Sequence, residues 1–318
     1  MRINPIEHTR FIHGKKRRFI HLHTNLYMMH KAGFVNIIGK PNVGKSTLLN
    51  VLLGENLAIV NPKAQTTRHR IKGVLNGTDY QIVFSDTPGI MKPAYKLHHK
   101  MLDAVNETFT DADVMIYVAE IGETEMDDGL KEKLKTLKVP VFLVLNKMDT
   151  INQEQLENAL QHWKSVFDFT TIIPISALHK FNTAFIIENI IKHLPFADAY
   201  YDKETLTDRN ERFFVTEILR EKILSLYQKE IPYSTEVAIV YFKDEPNISK
   251  IGTVIYVERE SQKAIVLGHQ GKAIKRLGTE ARKSMETFLG RKVFLEITVK
   301  VQDGWRDNDA ALKKFGYE

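Results

Sequence analysis

Gly39-Lys40-Pro41-Asn42-Val43-Gly44-Lys45-Ser46 is the stretch that decides the fold. Its spacing is that of a phosphate-binding loop, G-x-x-x-x-G-K-[ST]. The apolar run Gly33–Ile38 leads into it, and the helical pattern from Thr47 to Leu53 leads out. The loop therefore sits between a buried strand and a helix N-terminus. Glycines let the backbone curl so that its N–H groups face phosphate oxygens, and the helix dipole favours the negative charge. Lys45 is placed to reach the β- and γ-phosphates, and the Ser46 hydroxyl to help hold Mg²⁺.

Three further segments follow in order, each at the end of an apolar run. Asp86-Thr87-Pro88-Gly89 comes after Tyr80–Phe84. An acid there can bind Mg²⁺ directly or through water, and Gly89 can donate its N–H to a γ-phosphate without a side chain in the way. Asn146-Lys147-Met148-Asp149 comes after Val141–Leu145. The Asp149 carboxylate can accept from the N1–H and N2–H₂ groups of guanine, a donor pair that adenine lacks. Asn146 can tie loops together, and the Lys147 stem can lie over the base. Ser176-Ala177 follows Ile172–Ile175 and can offer a backbone N–H to guanine O6. Four such segments at strand ends place ligand groups on one rim of a mostly parallel α/β sheet.

The arrangement over residues 33–195 resembles the translation-factor-type GTPases, and Lys63-Ala64-Gln65-Thr66-Thr67-Arg68-His69-Arg70 narrows the resemblance to the Era family. That resemblance implies a P-loop GTPase using GTP/GDP and Mg²⁺. It also implies a switch loop around residues 61–72, with Thr66 or Thr67 meeting Mg²⁺ and the γ-phosphate. The residues leave the choice between the two open. Ile90 stands where Ras-like enzymes place a water-orienting glutamine, so intrinsic turnover is expected to be slow. Asn42 is a candidate holder of K⁺ beside the β/γ-phosphates, as in resembling GTPases with this asparagine. The candidate catalytic residues are thus Asn42, Lys45, Thr66, Thr67 and Gly89.

The remainder reads as a second, α+β unit. A helical pattern carries Phe214, Ile218 and Leu224, with Thr207-Asp208 as its expected cap. Strands are expected over Thr235–Phe242, Gly252–Glu258 and Ala264–Leu267, then a helix from about Ala273 to Leu289 and a last strand over Lys292–Val301. Gly268-His269-Gln270-Gly271-Lys272, with the helix and strands around it, resembles the G-x-x-G clamp of KH domains, which implies a grip on about four nucleotides of single-stranded RNA. Between Arg259 and Lys300 stand ten Lys/Arg against four acids. Lys272, Lys275 and Arg276 are the expected phosphate contacts. Trp305 is expected to seal the domain.

The expected division is an extension at 1–28, a GTPase domain at 29–200 and a KH domain at 201–318. The net charge of +6 is carried by residues 1–31, with seven Lys/Arg against Glu7, so the body is balanced. The extension is expected to be disordered and is set apart from the fold. It contains no serine, which argues against a transit peptide. The chain has no cysteine, which excludes disulfides, thiolate catalysis and cysteine-bound zinc. No apolar run reaches the roughly 18 residues of a membrane span. The family resemblance implies a cytoplasmic monomer that binds small-subunit rRNA near its 3′ end and acts on the small ribosomal subunit, with peripheral membrane contact and no DNA partner. The competing expectation is a regulatory, membrane-associated signalling GTPase.

Overall fold

The structure is a computed structural model that describes residues 30–317. The reading of residues 1–28 as a disordered extension lies outside those residues. The chain enters at β1 (Lys31–Ile38), passes the phosphate loop and forms α1 (Lys45–Leu53). β2 (Ile71–Asn76) and β3 (Tyr80–Asp86) form the hairpin expected at Asn76-Gly77. Then come α2 (Lys96–Glu107), β4 (Val114–Glu120), α3 (Asp128–Lys135), β5 (Val141–Asn146), α4 (Gln153–Val166), β6 (Thr171–Pro174) and α5 (Thr183–His193).

The six strands lie in the order β2-β3-β1-β4-β5-β6, and only β2 runs antiparallel to its neighbour. Helices cover both faces, which is why β4 and β5 are apolar on both. Leu48, Leu49, Ile186 and Ile190 of α1 and α5 pack on one face. Val105, Leu130 and Trp163 of α2, α3 and α4 pack on the other. The carboxyl ends of β1, β3, β5 and β6 meet on one rim, so all four sequence segments share it.

The second unit contains α6 (Glu211–Leu226), α7 (Ile231–Ser234), β7 (Glu236–Glu245), β8 (Ile248–Val257), α8 (Glu260–Leu267), α9 (Lys272–Leu289), β9 (Lys292–Val301) and α10 (Asp309–Lys314). Its sheet runs β7-β8-β9, with β8 and β9 parallel over ten residue pairs. The strand expected at Ala264–Leu267 is in fact the last half of α8. A short apolar run reads equally as strand or helix. Two influences settle it as helix. Gln262 Oε1 accepts from the N–H groups of Glu258 and Arg259 and starts the turn. A parallel β8–β9 pair also requires a crossover, which helices supply. Val266 then faces the core while Ile265 is half exposed.

Thr207-Asp208 does not cap α6. Asn210 does, accepting from the Phe213 N–H at 3.0 Å. Thr207 instead donates to Lys72 O at 2.7 Å, and the Val74 N–H donates to Leu206 O at 2.8 Å. The connecting segment therefore lies along β2 and covers an edge that would otherwise be open. The C-terminal end crosses back to the first unit. Trp305, Leu312 and Tyr317 pack with Leu97 and Met101 of α2 in one apolar cluster. Trp305 is fully buried there and donates its indole N–H to Ser234 O at 3.0 Å, so it seals the junction.

Candidate functional site

The phosphate loop turns through three residues at positive φ: Gly39, Asn42 and Gly44. Gly44 is required for a second reason: a Cβ there would come within 2.2 Å of Asn146 Nδ2. Gly89 packs so closely on the loop that a Cβ would meet Pro41 Cα at 2.7 Å. These two close approaches bring three sequence-distant segments onto one rim.

Lys45 curls back over the loop, and its Nζ donates to Lys40 O at 2.7 Å and Gly39 O at 3.1 Å. Burial pulls its ammonium down to about 8, against the opposing pull of Asp86 and Glu123. A phosphate placed there would satisfy the charge that burial penalises. Next to it, Ser46 Oγ donates to Asp86 Oδ2 at 2.6 Å and Thr67 Oγ1 donates to the same oxygen at 3.1 Å. The two hydroxyls are 2.9 Å apart. Asp86 is fully buried, burial raises its carboxyl above the ordinary range, and its Oδ1 has no hydrogen-bond partner among the described residues. Two hydroxyls converging on a buried carboxylate with an unpartnered oxygen form a donor set suited to a hard cation such as Mg²⁺. Thr66 is placed differently. Its Oγ1 donates to Lys63 O at 2.5 Å, inside its own loop. The geometry thus brings Thr67, and not Thr66, to Ser46 and Asp86.

The base end is built by Asn146, whose Nδ2 donates to Val43 O at 2.8 Å while its Oδ1 accepts from the Ala177 N–H at 3.0 Å. One amide thus ties together the segments at β1, β5 and β6. The Ala177 N–H, expected to serve guanine O6, is engaged by Asn146 here. Lys147 stands at positive φ and ion-pairs with Glu120, which holds its stem along the pocket. A hydrogen bond from Ser176 holds the Asp149 carboxyl below its ordinary range, so it is ionised at neutral pH and able to accept from two donors. Thr87 does not face the pocket: buried, it donates to Ile37 O at 2.7 Å and pins the end of β3 to β1.

The resulting cavity, about 420 Å³, is lined by Asn42, Lys45, Ser46, Thr67, Asn146 and Asp149, and also by Gly89 and Ala177. Thr47 lines it at the start of α1. Among the expected residues, Gly39, Lys40, Val43 and Pro88 do not line the cavity, while Pro41 does. Ile90 faces a neighbouring cavity instead. Sequence reading missed Val60 and Leu178, two exposed apolar side chains on the pocket wall. Their position beside motif residues was the available signal.

The second unit presents Gly268 and Gly271 at φ 72° and 73°, with a one-turn helix over His269–Gly271 between α8 and α9. A Cβ on Gly268 would approach Ala273 Cβ at 2.5 Å, so the tight loop requires glycine. Lys272 opens α9, which buries Leu277, Ala281, Met285 and Leu289 and exposes its basic side. A groove of about 320 Å³ runs beside it, lined by Ile274, Lys275, Gly278, Arg282, Leu295 and Ile297. Lys275 lines the groove. Arg276 does not line it; its Nε donates to Glu280 at 3.0 Å. Arg282, Leu295 and Ile297 were missed because β9 meets α9 only in the folded unit.

The family model described as a 50S ribosome-binding GTPase matches residues 34–147, and the KH domain model matches residues 230–306. Fold and site together define a P-loop GTPase joined to a C-terminal KH module. Among curated relatives, the GTPase Era of Clostridium kluyveri is 43% identical over 295 residues, covering 91% of this chain and all of the relative. That of Staphylococcus epidermidis is 44% identical over 291 residues, covering 91% of this chain and 97% of the relative. The chain belongs to the Era family and is a GTPase that uses GTP/GDP and Mg²⁺. A crystal structure of Era in complex with MgGDPNP and nucleotides 1506–1542 of 16S ribosomal RNA superposes with a TM-score of 0.87 at 38% identity, covering 91% of this chain and 99% of that one. An Aquifex aeolicus Era variant bound to GDP and AlF₄⁻ gives the same TM-score and identity, covering 90% and 99%.

Proposed function

We propose that this GTPase times an RNA interaction during small ribosomal subunit assembly. GTP and Mg²⁺ set the loop at residues 61–72, and that loop sets how the KH module presents its groove to single-stranded rRNA near the 3′ end of the small-subunit RNA. The supporting observation is the loop's double attachment. Thr67 touches Ser46 and Asp86, while the adjacent Arg68 donates to Thr235 O and to the Glu236 carboxylate of the KH unit. Arg220 of α6 also donates to Thr66 O. A ligand that draws Thr67 to the phosphates therefore pulls on backbone and side chains packed into the KH unit. The solved complex of Era with 16S nucleotides 1506–1542 supports the choice of RNA.

In this reading Ser46, Thr67 and Asp86 would hold Mg²⁺, which would supply positive charge against the triphosphate. Lys45 supplies a second positive charge, Gly89 leaves room for the γ-phosphate, and Asp149 selects guanine. Asn42 would hold K⁺, whose charge would offset the lack of a water-orienting side chain at Ile90 in an otherwise slow hydrolysis. Gly268, His269, Gln270, Gly271 and Lys272 clamp the RNA backbone, and Lys275 contacts a phosphate from the groove. The protein acts as a cytoplasmic monomer. Among the described residues, no helix is long and apolar enough to cross a membrane.

The test is binding of a fluorescent RNA carrying the 3′ end of small-subunit rRNA to GDPNP- and GDP-loaded protein. Tighter binding with GDPNP is expected, with crosslinks in residues 259–300. Equal affinity in both states sinks the timing mechanism. Crosslinks absent from residues 259–300 in both states sink the RNA assignment.

A further inference from the structure

A second cavity, of about 450 Å³, opens beside the nucleotide pocket and matches it in size. Neither the phosphate chemistry nor the RNA groove uses it. Its walls are apolar: Leu102 and Val105 of α2, Phe109 just beyond it, Leu130 of α3, and Ile90 and Met91 from the segment after Gly89. Volume and lining are those of a small-molecule site.

The mouth is cationic. Lys40, Lys92 and Lys133 line it, with Asp127 as the acid among the lining residues. Among the described residues Asp127 forms no ion pair within 4 Å; one of its carboxylate oxygens accepts from the Leu130 N–H at 3.0 Å and caps α3. Glu123 engages Lys40 at 2.8 Å. The Lys133 ammonium has a neutral partner instead: it donates to Asn106 Oδ1 at 2.6 Å and stands 4.2 Å from the Phe109 ring centroid. Burial draws its pKa below the ordinary lysine value, and among the described residues no carboxylate raises it. Lys92 is exposed at the rim. An apolar chamber with uncompensated ammonium groups at its mouth complements a molecule with an apolar body and one anionic head.

We propose that this cavity binds a small amphipathic organic anion, with its apolar body between α2, α3 and residues 90–91 and its anionic head at Lys133 and Lys92. Such a ligand is linked to the nucleotide. The Ile90 N–H donates to Gly39 O at 3.0 Å, and Lys40 and Pro41 belong to both the cavity wall and the phosphate loop. A molecule that holds residues 90–93 in place therefore biases the loop that grips phosphate, and by reciprocity bound nucleotide biases the cavity.

The probe is 8-anilinonaphthalene-1-sulfonate, an aromatic anion, titrated into full-length protein saturated with GDP so that the nucleotide pocket is closed to it. One saturable fluorescence transition is expected. Lys133→Glu reverses the charge at the mouth without touching the core and weakens binding about tenfold or more. Leu130→Trp fills the chamber and removes the transition, with GDP affinity as the check that the domain is folded. Probe affinity unchanged in Lys133→Glu overturns the proposal, as does fluorescence that disappears when GDP is added to nucleotide-free protein. Release of a fluorescent GDP is expected to change at least about twofold at probe saturation, since a coupling of a few tenths of a kcal/mol suffices. An unchanged release rate overturns the linkage.

Discussion

The Arg68 guanidinium donates to the Glu236 carboxylate at 2.9 Å, with 1% and 4% of the two side chains exposed, and so joins the loop at residues 61–72 to the first KH strand. Tyr317 donates to the same carboxylate at 2.7 Å, and Trp305 lies under the guanidinium at 5.9 Å. The next residue back, Thr67, hydrogen-bonds to the buried Asp86. Two neighbouring residues therefore report to two domains. Burial of both charges makes the pair costly to break singly, because the remaining partner is left without solvent or counter-ion.

Arg68→Ala is expected to destabilise the protein by about 3–5 kcal/mol, the range for breaking a buried pair. In chemical denaturation the midpoint falls accordingly. In RNA binding, the difference between GDPNP- and GDP-loaded protein shrinks towards none, while GDP affinity itself is kept. A variant that retains the full nucleotide dependence of RNA binding shows that coupling runs elsewhere.

Asp149→Asn replaces a double acceptor with a group that places a donor against the guanine N–H groups. GTP and GDP affinity is expected to fall by several kcal/mol, or at least about a hundredfold. Xanthosine nucleotides, which carry an oxygen in place of the 2-amino group, are expected to bind the variant better than the wild type. Nucleotide titration by fluorescence decides it, and an unchanged guanine preference would refute the role of Asp149.

Asn42 is exposed on the phosphate loop and lines the nucleotide cavity. GTP hydrolysis is expected to be faster in K⁺ than in Na⁺ at equal ionic strength. Asn42→Ala is expected to abolish that difference while leaving GDP affinity nearly intact. Equal wild-type rates in the two salts remove K⁺ from the mechanism.

His69 links the loop to acid stability. It stacks on Tyr317 at 4.4 Å and meets Phe213 edge-on at 5.9 Å. Burial lowers its pKa; Glu217 and Glu236 oppose that shift, and Arg220 and Arg209 add to it. With a folded pKa below the unfolded value, its contribution to stability is present above about pH 6.5 and is lost as pH falls through the folded value. The loss from pH 7.5 to pH 5 in urea denaturation is expected to be smaller in His69→Phe, which keeps the stack and cannot take up a proton. An equal loss in both proteins assigns the acid sensitivity to other groups.

The nucleotide site was legible because its chemistry is local. Each residue expected to meet phosphate or base lies in a short segment at a strand end, and a spacing such as Gly39 to Ser46 is dictated by the turn itself. The α8 segment misled because Ala264–Leu267 carries no period long enough to tell helix from strand. The α6 cap was misplaced because Thr207 is a good cap type that the β2 edge had already engaged. Arg282, Leu295 and Ile297 gave no signal, since the groove they form exists only where α9 crosses β9.

From sequence alone came the phosphate loop, the Asn146–Asp149 segment at the end of β5, the G-x-x-G turn and the two-unit order, because each is fixed by a few covalently close residues. The choice of Thr67 over Thr66 at the buried carboxylate needed the tertiary structure. So did the burial of Arg68 against Glu236, the packing of Trp305 and Tyr317 on α2, and the cationic mouth of the second cavity. All of these depend on which residues distant in sequence come within a few ångströms of each other, and on the loss of water that makes their charges and unpaired oxygens count.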